Sequence, residues 1–464
     1  MKRFVVLFIL LGALVLAAPG IIGYQAETYY QGLMGQFSKG GLETVSQTYQ
    51  RNWFGAEAQT RFRVNLPAGP DRAEAEAFEF SLLSQIDHGP LTGDGLALAL
   101  IQSEIKSEGE AILPEDYQAE IKTLIDISGQ GITRIKLPAA ELDAQDDRPA
   151  VRFEGMDGEV RFDAAREAIA ADFTLPVLIL SEDTRKLLEI HGVKLSSRSS
   201  KGVSGLMLGG GAFTVERIAV QDRESGTRVE LDRLGIDAES SAQAESVSAF
   251  VRYRLNKVQV DDQVYGPAVL KLGFGNLPAA VLLKIQESVE EINAQQLSDE
   301  RKGMALLSVL MGNAPGLLKG DPIITIDELS VKTPDGLIEG KLSLQAQGLE
   351  WKEITNVPAV LNKLAGDASI QVPEKLFRML MQQKIQADLL RQLEQRRLMD
   401  PDSEMPTAEQ LTEMSSTLVE RQLVVLLGQE LLVKEGDAIM TNAKLSGGLL
   451  SVNGKTIPLP AQTQ

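Results

Sequence analysis

The chain has no cysteine and only two histidines, His88 and His191, among 464 residues. Without thiols there are no disulfides, no thiolate metal sites and no lipid attached through sulfur. Two histidines are too few for an ordinary catalytic zinc site, which takes two or three with carboxylate or thiolate support. An ordinary turn or surface position is the plainer reading of each. Positive charge is also short, with 46 Lys and Arg against 64 Asp and Glu and a formal net charge of −18. Nucleic acid demands clustered basic residues, so it is excluded as an expected partner. Aromatics make up only 5% of the chain, while the hydrophobic share is 44%. A core must therefore be built mainly from Leu, Ile, Val and Ala, and the composition is that of a folded protein rather than a disordered one.

Chemical motifs are equally scarce. Gly202-Val203-Ser204-Gly205 is one position short of a nucleophile elbow and has no strand-then-helix context. Gly209-Gly210-Gly211 lacks the Lys-Ser/Thr of a phosphate loop, and Gly273-Phe274-Gly275 is not a dinucleotide fingerprint. Turns or bulges are the expectation for all three. Acidic pairs such as Asp146-Asp147 and Asp261-Asp262 lie in polar, turn-like stretches. No cofactor, no metal and no catalytic residue is expected, and a non-enzyme is the first reading. A carboxylate-based hydrolase is the distant alternative, since it needs only two carboxylates brought together across a cleft.

What the chain does have begins at its first residues. Lys2 and Arg3 precede an uncharged run from Phe4 to Ala26. About 20 apolar residues in a helix cross the hydrocarbon layer of a bilayer. Residues 4–23 are thus expected to form a transmembrane anchor, with Phe4, Leu7, Leu10, Leu14, Ile21 and Ile22 facing lipid. Lys2 and Arg3 keep residues 1–3 in the cytoplasm by the positive-inside tendency, which sends the remainder across. A signal peptide cleaved near Val15-Leu16-Ala17 is the alternative, and the length of the apolar run favours the anchor.

Behind it, short stretches alternate apolar and polar residues next to glycines, as strands with one buried face do. Ala58 to Leu66, Gly95 to Ile101, Gly131 to Leu137, Leu206 to Val220, Ile323 to Ile326, Gly336 to Ala346 and Gly447 to Lys455 all read this way. Glu43 to Leu66 reads as a hairpin broken near Gly55, and Val151 to Phe162 as two strands around an Asp157-Gly158 turn. Helical spacing appears in Pro278–Gln296, Arg301–Leu318, Pro373–Met399 and Thr407–Val433, the last two separated by Asp400-Pro401-Asp402. The expected class is α+β and strand-dominated. A mostly antiparallel, extended and curved sheet carries helices packed on it, including a C-terminal helical hairpin. The expected division is a β-rich region over 24–260 and a mixed helix and strand region over 261–464; no linker separates them, so the second is expected to continue the sheet of the first.

Trp53-Phe54 is the aromatic pair that stands out, preceded by Tyr49 and Arg51. Plugging the end of a sheet is its plain reading, and an interaction site near the tether is the functional one.

The order of several short motifs carries a resemblance. Gly23-Tyr24 follows the apolar run, then come Tyr49-Gln50-Arg51-Asn52-Trp53-Phe54, His88-Gly89-Pro90, and Phe153-Glu154-Gly155-Met156-Asp157-Gly158. Leu272-Gly273-Phe274-Gly275-Asn276-Leu277 and Leu450-Ser451-Val452-Asn453-Gly454-Lys455 complete the series. Over nearly its whole length the chain resembles the YdgA-like family of Gram-negative envelope proteins. The resemblance implies an inner-membrane protein facing the periplasm, and it transfers no catalytic residue. The functional expectation is a membrane-anchored, non-enzymatic protein binding lipid or another apolar ligand in a β-groove. A scaffold in an envelope protein complex, using strand edges or the helices of 376–433, is the alternative.

Overall fold

The computed structural model describes residues 27, 30–31, 43–66, 76–108, 117–144, 149–183, 185–222, 225–295, 297, 299–399 and 406–457. The expected anchor, with Phe4, Leu7, Leu10, Leu14, Ile21 and Ile22, lies outside the described residues. The chain forms two compact units: residues up to Glu245 with Ala279–Asn313, and Ser246–Pro278 with Ala314 onward.

The first unit is an antiparallel meander. Its strands are β1 (Glu43–Arg51), β2 (Gly55–Leu66), β3 (Glu76–His88), β6 (Ala99–Glu108), β7 (Glu120–Ile125) and β8 (Gly131–Leu137). They continue through β9 (Ala140–Leu142), β10 (Ala150–Phe153), β11 (Met156–Phe162), β12 (Ala168–Glu182), β13 (Arg185–Lys201), β14 (Met207–Gln221) and β15 (Arg228–Gln243). A two-residue hairpin, β4 (Leu91–Thr92) with β5 (Gly95–Leu96), is set between β3 and β6. Pairing follows chain order from β1 to β15, with β8 and β9 running along β11 and β10 respectively.

Alternation explains which face is buried. In β2, Ala56, Ala58, Thr60 and Phe62 are buried, while the intervening residues are exposed or half-buried. Cross-strand pairing puts Ile86 and Ile101 on that same face, and Tyr30, Phe62, Ile86, Ile101 and Ile125 form the centre of the core. Burying each such side chain contributes about 1.5–3 kcal/mol. The Tyr30 hydroxyl lies within hydrogen-bonding distance of Thr60 Oγ1 (3.0 Å) and Ser84 Oγ (3.3 Å), and Ser84 is paired with Ser103 (2.8 Å). A small polar network is thereby enclosed in the apolar layer.

Two local expectations are corrected. Asp157-Gly158 is no turn, because both residues pair with neighbours on either side inside β11. The break falls at Glu154-Gly155, and β10 and β11 are successive lengths of one strand along β12. Gly158 is needed for packing: a Cβ there would come within 2.5 Å of the Phe173 ring. Likewise Gly209-Gly210-Gly211 and Gly273-Phe274-Gly275 lie inside strands rather than turns. A Cβ on Gly209 would meet the Arg198 carbonyl at 2.0 Å, so the backbones approach more closely there than a side chain allows.

The second unit repeats the scheme with β16 (Ser246–Val260), β17 (Gln263–Tyr265), β18 (Ala268–Pro278), β19 (Ile323–Thr333), β20 (Gly336–Ala346) and β21 (Leu364–Pro373). Its remaining strands are β22 (Val433–Glu435), β23 (Ala438–Ser446), β24 (Leu449–Val452) and β25 (Lys455–Ile457). The ladder runs β16, β18, β19, β20, β21, β23, β24, β25, antiparallel throughout.

Five α-helices are present among the described residues: α1 (Ala279–Ala294), α2 (Asp299–Leu318), α3 (Val357–Lys363), α4 (Glu374–Met399) and α5 (Ala408–Gly428). The last two form the expected hairpin. Gln386 Nε2 donates to Ser415 Oγ at 3.2 Å, and Arg378 pairs with both Glu374 and Glu420. Thr407 and Gln410 cap the start of α5 reciprocally, which satisfies two otherwise unpaired N–H groups. The structure is thus strand-dominated α+β, as the alternation implies.

Candidate functional site

The second unit separates its sheet into a polar and an apolar face. On one face the cross-strand partners run Ala249, Phe274, Ile324, Leu344, Gly366, Leu445 and Leu450. Two residues along each strand, a second row reads Val251, Leu272, Ile326, Leu342, Ala368, Ala443 and Val452. Tyr253, Leu270, Leu329, Gly340 and Ile370 begin a third. Strands lie about 4.8 Å apart, so seven of them carry the first row across about 29 Å. None of these residues is fully buried, and Tyr253, Phe274, Ile324 and Ile370 are between 38% and 47% exposed. A contiguous apolar surface of this extent is unusual unless something binds to it.

The opposite face is charged. Lys271 Nζ lies 2.8 Å from Asp327 and 4.9 Å from the centre of the Phe250 ring. The Lys271 ammonium and the Thr325 hydroxyl hold the Asp327 carboxyl below the usual carboxylate range. Thr325 also explains Gly273, because a Cβ there would sit 2.4 Å from its hydroxyl oxygen.

The first unit has two kinds of cleft. One cavity of about 740 Å³ is lined by Gln50, Glu57, Gln59, Gln85, Gln102, Gln118 and their neighbours. Amide side chains there present both donors and acceptors, suited to a polar chain. A second, of about 530 Å³, is lined by Leu124, Ile132, Ala170 and Leu208 together with Arg161 and Arg198. Arg161 pairs with Glu159, while Arg198 is 3.8 Å from Asp172. Apolar lining beside guanidinium groups suits an acyl chain with an anionic head. Sequence reasoning missed these glutamines because they meet only through the register of separate strands.

Trp53 and Phe54 do not plug the sheet. They occupy the β1–β2 turn and are well exposed. Arg51 and Tyr49 precede them on β1; burial and the Glu27 carboxylate push the half-buried Tyr49 phenol up to about 12. His88 is not a surface turn residue either. It ends β3, pairs with Ala99 and is only 3% exposed. Burial holds its imidazole below the usual pKa, an effect partly offset by the backbone of Trp53, which lies beside the ring. His191 lies in mid-strand in β13, 3.7 Å from Glu189. Among the described residues no group of three or more His, Asp or Glu is placed to hold a metal, and no helix is long and apolar enough to cross a membrane.

Comparison with known proteins gives a lineage without an activity. The chain is 22% identical over 364 residues to Protein YdgA of Escherichia coli (strain K12), covering 69% of this chain and 70% of that protein. The family described as bacterial protein of unknown function (DUF945) matches residues 1–460. With nearly its full length accounted for by that match, the chain belongs to the DUF945 family, the YdgA-like proteins of unknown function.

Proposed function

We propose that this chain is a non-enzymatic protein of the cell envelope, held in the inner membrane by residues 4–23 with its folded body in the periplasm, and that it binds an acyl chain. The observation that carries the reading is the apolar face of the second unit's sheet, where no residue of three cross-strand rows is buried and Tyr253, Phe274, Ile324 and Ile370 are exposed. Its span exceeds the ~15 Å thickness of one leaflet's hydrocarbon, taken as half the bilayer core, so a full acyl chain fits along it. Gly340 and Gly366 let the rows close up: a Cβ there would come within 3.2 Å of the Leu329 side chain and 3.1 Å of the Leu344 side chain, so the leucines lie over the glycines and keep the face smooth. Lys2 and Arg3 ahead of the apolar run support the orientation.

The test is uptake of a fluorescent fatty acid by the full chain, against a variant carrying Ile324→Glu. Ile324 is among the more exposed members of its row, so the carboxylate is solvated and folding is preserved. Binding should weaken at least several-fold. Equal uptake by both proteins, or none by either, would refute acyl binding at this face.

A scaffold reading has one observation in its favour. Met379 and Leu380 on α4, and Met414, Val424 and Val425 on α5, leave apolar side chains exposed on the helical hairpin. Crosslinking in intact cells separates the two: a reproducible protein adduct at Val424 favours the scaffold, and lipid adducts at Ile324 favour carriage.

A further inference from the structure

The hairpins of the first unit bring several large apolar side chains to one end of its sheet. Arg51 pairs with Ala56 and Gly55 with Asp87, so the β1–β2 turn and the β3–β6 connection lie at the same end. Ala99 pairs with Ile125, and Ile125 with Gly131, which adds the β7–β8 turn. Trp53 and Phe54 occupy the first turn, Leu91 and Leu96 face each other across the β4–β5 hairpin, and Ile127 sits in the third. These five are 59–76% exposed, more than the sheet-face residues described above.

The turns are held rigidly. His88 N–H donates to the Phe54 carbonyl at 3.0 Å, Ala97 N–H to Pro90 at 3.1 Å, and Leu98 N–H to Ile125 at 2.8 Å. In the third turn the Asp126 carboxylate accepts from the N–H groups of Ser128 (2.8 Å) and Gln130 (3.0 Å), a closed Asx-type turn that leaves Ile127 at its tip. The serine hydroxyl and these N–H groups keep the Asp126 carboxyl below its ordinary range. Such bonding fixes the apolar tips in place before any partner arrives, which lowers the ordering cost of binding.

The path of the chain says what lies beside this end. Glu27 is 3.7 Å from Arg51, two residues before Trp53, and Tyr30 is packed deeper against Thr60 and Ser84. The chain therefore enters the first unit from the end that carries the tips, directly after the apolar run Phe4–Ala26 in sequence. We infer that Trp53, Phe54, Leu91, Leu96 and Ile127 form a membrane-contacting surface, dipping into the interface of the bilayer in which that run is anchored. The inference rests on the anchoring part of the proposed function, not on acyl binding. Trp is the aromatic most at home at the headgroup level, and aliphatic tips reach the acyl boundary below it. The charges nearby are already engaged: Lys122 with Asp94 at 2.6 Å, Arg51 with Glu27, and Asp126 within its own turn. Contact is therefore apolar rather than electrostatic, and a zwitterionic bilayer suffices.

Because the chain has no cysteine, a single introduced thiol is a unique label. Full-length protein carrying Phe54→Cys, Leu96→Cys or Ile127→Cys would be labelled with an environment-sensitive dye and reconstituted into phosphatidylcholine vesicles. Glu141→Cys, in β9 toward the opposite end of the strands, is the control. The tip labels should shift to shorter wavelength and be quenched several-fold more than the control by nitroxide lipids, with no change when anionic lipid is added. Protein that floats with the vesicles while its tip labels stay as water-exposed as the control would overturn the inference and leave the anchor standing. Protein that does not float with vesicles would overturn both. Quenching that appears only with anionic lipid would also overturn it, since among the described residues Lys122 and Arg51 beside the tips are already paired with Asp94 and Glu27.

Discussion

Tyr30 fastens the start of the described chain to the sheet, and its hydroxyl offers a sharp test of how the first unit is held together. Tyr30 and Thr60 are both completely buried, and Ser84 and Ser103 nearly so. Tyr30→Phe keeps the ring but removes the atom shared with Thr60 at 3.0 Å and Ser84 at 3.3 Å. The lost bonds are worth about 0.5–1.5 kcal/mol each, and a stranded buried hydroxyl adds its own desolvation cost, so about 1.5–3 kcal/mol is expected. Ser84 retains Ser103 at 2.8 Å, which places the estimate toward the lower half of that range. Thr60→Val alone should cost about 1–2 kcal/mol for the same reason. The double variant replaces both partners with apolar groups of similar shape, so its cost should fall short of the sum by about 1 kcal/mol. Urea unfolding followed by circular dichroism, with amide exchange reading β2 and β3, measures all three. Costs that add to within about 0.3 kcal/mol would refute the network as a coupled unit.

Two further outcomes follow from the same kind of reading. A Cβ on Gly131 would sit 2.0 Å from the Phe162 ring, so Gly131→Ala should destabilise by about 1–3 kcal/mol, and Phe162→Leu in the same chain should recover part of it; urea midpoints check both. His88, held neutral by burial, should make the fold sensitive to acid. The unfolded chain takes up a proton as the pH falls below the ordinary 6.5, whereas the folded chain resists, so stability is lost from there downward by at most about 1.4 kcal/mol per pH unit. Melting temperatures of His88→Leu should fall less between pH 6.5 and 5 than those of the unaltered chain, and parallel curves would contradict the assignment.

The helices and the clean strands were legible because one periodicity dominates each. Gly131–Leu137 is a strand at the bounds its alternation suggests, and α4 and the start of α5 fall within one or two residues of the ends marked by Pro373, Asp400-Pro401 and Thr407, whereas α5 stops at Gly428 and the apolar Val433 at the expected end belongs to β22 instead. The long strands β12 and β13 were not legible. Leu175-Pro176-Val177-Leu178-Ile179-Leu180 is apolar on both faces, which erases the period of two, and Pro176 argues locally against a strand. The structure accommodates Pro176 across from Gly192, whose φ of +63° marks a local irregularity between the paired residues Leu175–Val193 and Val177–His191. The apolar face was hidden for a different reason. Phe274, Ile324, Leu344, Gly366 and Leu445 come from five separate strands, and only their register makes them one surface. Trp53-Phe54 stood out as a pair, but composition does not say whether an aromatic pair is covered or left in solvent.

The meander of the first unit also governs the order in which it can assemble. From β1 to β15 most ladders join strands that follow one another in the chain, and the exceptions, β8 with β11 and β10 with β12, skip only one or two short strands, so each closing loop is short and its entropy cost small. Low contact order of this kind favours fast folding, and a growing or emerging chain can add one hairpin at a time to an edge already formed. The second unit shares that property only in part, because α1 and α2 intervene between β18 and β19, and α4 and α5 between β21 and β22. The ladders β18–β19 and β21–β23 must therefore close loops that span whole helices, so they carry the larger closure cost of the two units, and the apolar rows that cross them depend on those long-range pairings.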